Sequence, residues 1–303
     1  MGSCFTENIG EKLSWYKFPV YVNPLGITYN PVSVKKGLER LLECNHYKKD
    51  ELGFDGNLYF SFDHHSRFSD VNADVCLDKI NTSLQKGSSA LKGASFLFLT
   101  FGTSWFYRLR SSDAIVNNCH KLPERAFERA RLSVDDIIKE YETLIPLLNE
   151  YNPRLQLVFT VSPIRHWKDG AHENQLSKSV LLLAIDALCK KFKQTFYFPA
   201  YELVMDELRD YRFYEEDMLH PNKIAINFIW QRFLDCFADK DALKLMPEIE
   251  KIQLSKQHRP FNQHTDQFKT FVRRQMQKIE ELTRKYDVID MNEEYEYFKK
   301  YLL

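Results

Sequence analysis

The sequence contains no run of about 18 apolar residues, so none of its helices is expected to span a bilayer. Residues 1–20 have no basic start followed by an apolar stretch, which reads as the absence of a secretory signal and predicts a cytoplasmic protein. The six cysteines, Cys4, Cys44, Cys76, Cys119, Cys189 and Cys236, form no CxxC pair, so neither a zinc ribbon nor a dithiol redox centre is expected. They are read as reduced thiols, mostly buried. There is no excess of either charge, with 42 basic against 42 acidic residues, which leaves nothing to attract nucleic acid or an anionic membrane. No internal repeat, low-complexity linker or cofactor motif is visible, so no cofactor is expected.

What is present is ordinary globular material. Hydrophobic residues make up 44% of 303, enough to bury a core without staples. Aromatics are abundant at 14%; most are expected in that core, and the remainder would suit the walls of a sugar or ring site.

Three apolar segments, Ser95–Phe101, Leu155–Ser162 and Thr195–Pro199, read as buried parallel strands. Helical stripes lie between and after them: Asp135–Tyr151, His172–Phe192, a helix opened by Pro221, and Asp266–Tyr286. A helix beginning near Phe5 and closing over Glu11–Trp15, and another over Ser33–Leu42, are expected earlier, with loop or short strands at 53–70. This alternation predicts an α/β fold with a parallel sheet. Residues 1–238 are expected to form the main domain and 239–303 a C-terminal helical extension. That extension is expected to pack on the core or to pair two copies as a homodimer.

Functional groups in such sheets gather beyond the carboxyl ends of the strands. There lie Gly102-Thr103-Ser104-Trp105 and Ser162-Pro163-Ile164-Arg165-His166-Trp167. Gly2-Ser3-Cys4-Phe5 is a small-residue turn entering a helix, and Asp217-Met218-Leu219-His220 is a loop before one. A serine at a helix start has amides beside it for an oxyanion. A histidine can take its proton, and an aspartate can hold the imidazole tautomer. Plainer roles exist for each: helix capping for Ser3 and Asp217, a surface position for His220, and loop packing for Arg165, His166 and Trp167. Cys4 is a rival nucleophile. His64 and His65 could ligate a metal with His166 or His172, although contacts that support the catalytic residues or touch substrate are preferred and no metal is expected.

Several blocks resemble the GSCFA-domain family, which groups with SGNH/GDSL-like hydrolases. They are Gly2-Ser3-Cys4-Phe5-Thr6, the stretch from Asn23 to Pro31, Phe62-Asp63-His64-His65-Ser66, Thr100 to Trp105, Asn118-Cys119-His120-Lys121, Val161-Ser162-Pro163 with His166, and Tyr211 to Pro221. The similarity runs to about residue 238. It implies a flavodoxin-like three-layer α/β/α sandwich of the SGNH type. It also implies catalysis by Ser3, Asp217 and His220, and an oxyanion hole from Ser3, Gly26 and Ser104 or Thr103. His65, Trp105, Arg165 and His166 would line the substrate pocket.

Two features depart from that pattern. The usual asparagine donor of a GxND block is replaced by the hydroxyls of Thr103 and Ser104, and Gly2 stands where an aspartate usually precedes the nucleophile. Only two residues precede Ser3, so the first strand is expected to be missing, with the true start upstream. The expected function is a serine esterase acting on small O-acyl esters, O-acetyl groups on carbohydrates among them. The alternatives are acyl transfer by the same residues and a non-catalytic glycan-binding module.

Overall fold

The computed structural model describes residues 1–258 and 262–302. They divide into two compact units. One comprises Met1–Asn8 and Tyr21–Ile229, the other Ile9–Val20 and Trp230–Leu303. In chain order the elements are α1 (Cys4–Trp15), α2 (Pro31–Glu43), β1 (Gly53–Phe54), β2 (Tyr59–Phe60), α3 (Ala73–Gly93), β3 (Phe96–Phe101), β4 (Trp105–Leu109), β5 (Ala114–Val116) and β6 (Phe127–Arg131). There follow α4 (Val134–Tyr151), β7 (Gln156–Val161), α5 (Gly170–Lys191), β8 (Thr195–Tyr197), the single-turn α6 (Ala200–Glu202), α7 (Lys223–Phe237), α8 (Lys240–Gln257), α9 (Asp266–Lys285) and α10 (Asn292–Lys299).

The fold is mixed α/β and is built on a parallel sheet in the order β3-β7-β8. Phe96 pairs with Gln156 through to Phe101 with Val161, and Leu157 pairs with Thr195. Leu99, Phe101, Val158, Phe159 and Val161 are wholly buried, as strands covered on both faces require. Val34 and Leu38 of α2, Ile137, Leu144 and Ile145 of α4, and Leu181, Ile185 and Leu188 of α5 join that core. Burying each such side chain contributes about 1.5–3 kcal/mol. A capping box starts α4, Ser133 accepting from the Asp136 amide while Asp136 accepts from the Ser133 amide.

Residues 1–3 occupy the strand position beside β3. Met1 N donates to Phe98 O (2.5 Å), Thr100 N to Met1 O (3.0 Å) and Ser3 N to Thr100 O (3.2 Å). Gly2 has φ +141°, and a Cβ there would sit 2.2 Å from Thr100 O. A side chain is therefore excluded.

Several expectations need correction. Pro221 does not open α7. It bridges Tyr214, and the helix starts at Lys223 with Asn222 Oδ1 accepting the Ile224 and Ala225 amides. The three-stranded antiparallel sheet β5-β4-β6 and helix α3 lie outside the sequence-based expectations. Of the six thiols only Cys76 is buried, while Cys4, Cys44, Cys119 and Cys189 are half-buried and Cys236 is exposed. Most lie on helices or loops at positions turned partly toward water.

The second unit is helical. Ile252 of α8, Val272 and Ile279 of α9, Phe298 of α10, and Ile289 and Met291 form its core. The 9–20 segment belongs to it. Tyr16 stacks on Trp230 at 5.9 Å, Gln253 Nε2 donates to Trp15 O (3.2 Å), and Lys17 pairs with buried Glu294 (2.7 Å). Among the described residues no helix is long and apolar enough to cross a membrane.

Candidate active site

The loop between Tyr214 and Pro221 is closed by its own backbone. Glu215 N donates to His220 O (2.8 Å) and Met218 N to Glu215 O (3.0 Å), with Met218 in the left-handed region at φ +60°. This folds Asp217 back over His220. Asp217 Oδ1 accepts the amides of Leu219 (2.8 Å) and His220 (2.9 Å), and Oδ2 meets His220 Nδ1 at 2.5 Å. These hydrogen bonds, the His220 amide foremost, hold the Asp217 carboxyl down at about 2. The aspartate is thus ionised at neutral pH and directs Nε2 of His220 away from itself. Both side chains are nearly half exposed.

Ser3 sits where the first-strand position runs into α1. It is 1% exposed, and its Oγ has no hydrogen-bond partner. The hydroxyl therefore caps no helix amide, and it shares no hydrogen bond with His220. An unpartnered buried hydroxyl is uncommon and calls for an explanation.

Every donor expected for the oxyanion hole is engaged. Ser3 N is held by Thr100 O, and Gly26 N by Asn23 O (2.8 Å). The amides of Gly102 (2.7 Å) and Thr103 (3.2 Å) both go to Tyr29 O. The Thr103 and Ser104 hydroxyls each lie 3.0 Å from Ser177 Oγ, which also accepts the Ser104 amide (2.8 Å). Among the described residues no backbone carbonyl accepts from the amides of Cys4 and Phe5, in the first turn of α1, because a helix leaves its first four N–H groups open.

The expected pocket residues fall into two groups. Arg165 Nη2 donates to Tyr214 Oη (3.0 Å), which ties the segment after β7 to the loop that carries His220. His166 N is fixed by Asn174 Oδ1 (2.9 Å), and its ring meets Tyr29 edge-on at 5.5 Å. Burial first, then the charge of Lys178, pushes His166 down to about 4, so it is neutral at physiological pH. His65 lies against Gly26, where φ is +81° and a Cβ would stand 2.3 Å from His65 Cβ. Trp105 lies instead in the antiparallel sheet under the Arg129 guanidinium (4.3 Å), and Arg129 is paired with Asp169.

The histidines considered for a metal do not assemble. His64 is buried, with Nδ1 at 2.9 Å from Ser61 Oγ, and burial pushes it down to about 3. Among the described residues no group of three or more His, Cys, Asp or Glu side chains is placed to hold a metal ion.

Sequence reasoning missed Tyr29, Ser177 and Lys178. Tyr29 acts through a backbone carbonyl, for which no residue type is a signal. Ser177 and Lys178 occupy interior positions of α5 that read simply as a polar face. Lys178 is fully buried and donates to Gly102 O (2.6 Å) and Ser162 O (2.7 Å).

A parallel-sheet α/β protein with a preformed Asp–His pair on one loop and a buried serine at a helix start is what fold and site define. The chain belongs to the GSCFA family, whose model matches residues 1–233. Residues 249–303 match the C-terminal domain of GSCFA domain proteins. Neither the curated proteins nor the solved structures offer a match.

Proposed function

We propose that this chain is a serine esterase on a flavodoxin-like, SGNH-type α/β/α sandwich. It would act on small O-acyl esters, with O-acetylated carbohydrates the favoured class. The observation that carries the reading is the Asp217–His220 pair, in which Nδ1 is held by a carboxylate and Nε2 is left for a substrate-side proton. The buried, unpartnered Ser3 Oγ supports it.

In this reading the 214–221 loop brings His220 onto Ser3 when substrate binds, as catalytic hydrogen bonds often tighten only in the Michaelis complex. His220 Nε2 takes the Ser3 proton while Oγ attacks the acyl carbon. The amides of Cys4 and Phe5, rather than the engaged donors, receive the oxyanion. The departing alkoxide takes the proton from His220, leaving the acyl group on Ser3. Water, deprotonated by His220, then releases the acid and restores the serine. An alcohol in place of water would make the same residues an acyltransferase.

A second reading, a glycan-binding module without turnover, draws on the engagement of Thr103 and Ser104 with Ser177. Turnover of a short-chain aryl acetate and labelling by a fluorophosphonate separate the two. Wild type is expected to label, and Ser3→Ala and His220→Ala to lose on the order of a thousandfold or more in rate. Equal labelling of wild type and Ser3→Ala sinks the esterase and leaves the binding module.

A further inference from the structure

Among the described residues, no acid answers the charge of Arg165. Its guanidinium carbon lies 5.0 Å from the Tyr214 ring centre, 5.8 Å from Tyr211 and 5.9 Å from Trp167, and its hydrogen bonds go to the phenols of Tyr214 and Tyr211, neither of them a carboxylate. A guanidinium has five N–H donors, and ring faces and phenol oxygens use few of them. The neighbouring arginines are answered: Arg129 pairs with Asp169 and Arg131 with Glu173. Glu215 and Glu216 are exposed on the adjoining loop, yet among the described residues no carboxylate comes within ion-pair distance of Arg165. The cluster opens outward, with Tyr211 57% and Trp167 43% exposed.

We propose that Arg165, flanked by Tyr211, Tyr214 and Trp167, is a subsite for a carboxylate on the alcohol half of the ester, so that the substrate is an O-acylated acidic sugar. A planar guanidinium matches a carboxylate bidentately, and the rings beside it offer flat apolar faces to a pyranose. The side of the ester follows from the loop. Arg165 is bonded to Tyr214, and Tyr214 is backbone-paired with Pro221, next to His220. His220 is the group that protonates the departing alcohol, so a cation tied to its loop faces that half of the substrate.

This rests on the esterase reading, and the experiment keeps the two apart. kcat/KM is measured for O-acetylated glucuronic acid, O-acetylated glucose and an aryl succinate, whose carboxylate is on the acyl side. Wild type, Arg165→Gln and Tyr214→Phe are compared. Wild type is expected to prefer the uronate over the glucose ester at least tenfold, a preference that shrinks with added salt. Arg165→Gln is expected to bring that ratio to about one, while Tyr214→Phe, which drops the tether but keeps the cation, retains it. An equal loss on all substrates in Arg165→Gln, no preference in wild type, or a preference confined to the succinate would each overturn the proposal.

If wild type turns over no ester, the esterase reading fails, and direct titration with glucuronate still decides the subsite. Binding weakened at least tenfold in Arg165→Gln supports it, and unchanged binding overturns it.

Discussion

Lys178 shows how much a single residue can demand of a fold. Its amine is fully buried, bonded to two carbonyls, and burial pushes it down to about 7 from an ordinary 10.5. Between those values the unfolded chain holds the proton and the folded chain does not. Stability therefore rises with pH across that window, by at most about 1.4 kcal/mol per pH unit. Lys178→Met is expected to flatten the rise and, by taking the donor from Gly102 O and Ser162 O, to cost about 1–3 kcal/mol. Urea unfolding at about pH 7 and about pH 9.5 reads both effects. Asp217 behaves in the opposite sense. Its folded value, about 2, lies below the ordinary 3.8, so what it contributes is present above 3.8 and lost as pH falls toward 2. Asp217→Asn is expected to lower kcat on the order of 10³–10⁴-fold by releasing the His220 tautomer, with KM little changed. Steady-state kinetics on the aryl ester would show the split.

At the scale of elements, residues 1–3, which pair along β3, leave no room for a side chain at Gly2. Gly2→Ala drives a methyl toward Thr100 O and is expected to destabilise by about 1–3 kcal/mol. Gly93→Ala, at the end of α3 with nothing within 4 Å of its Cβ position, is expected to stabilise by about 0.4–1 kcal/mol. Thermal melts of the two variants should move in opposite directions.

The parallel strands were legible because Phe96–Phe101 and Gln156–Val161 are short, near-continuous apolar runs, as strands covered on both faces require. The antiparallel sheet is not legible because β6 is Phe-Glu-Arg-Ala-Arg, half solvated, with arginines that cover Trp105 and pair with Asp169 and Glu173 about 40 positions on. In the site, residue types and spacing only suggested Ser3, Asp217 and His220, and the resemblance to the GSCFA family singled them out. The spacing of Asp217 and His220 suffices for their contact, because one turn closes it. The use of the amides of Ser3, Gly102 and Thr103 depends on carbonyls brought in by distant segments, which no local pattern reports.

For the molecule as a whole, the second unit turns on Glu294, 1% exposed between Lys17 and Lys256. Burial pushes its carboxyl up, but the two lysines outweigh burial and hold it below its ordinary value. Its contribution is accordingly present above the ordinary glutamate range and lost as pH falls through the folded value. Glu294→Ala is expected to cost about 3–5 kcal/mol, since Lys17 is left facing an empty place. The loss should appear in chemical unfolding at neutral pH and fade in acid.

The contact between Trp15 and Gln253 spans 238 positions of the chain. A ribosome adding about 5–20 residues per second needs roughly 10–50 s to cover that interval. For that time Trp15, Tyr16 and Lys17 are made and waiting, their partners not yet synthesised. The wait leaves aromatic side chains open to chaperones before the last helices emerge, and it makes closure of the second unit the late event in this protein's biogenesis.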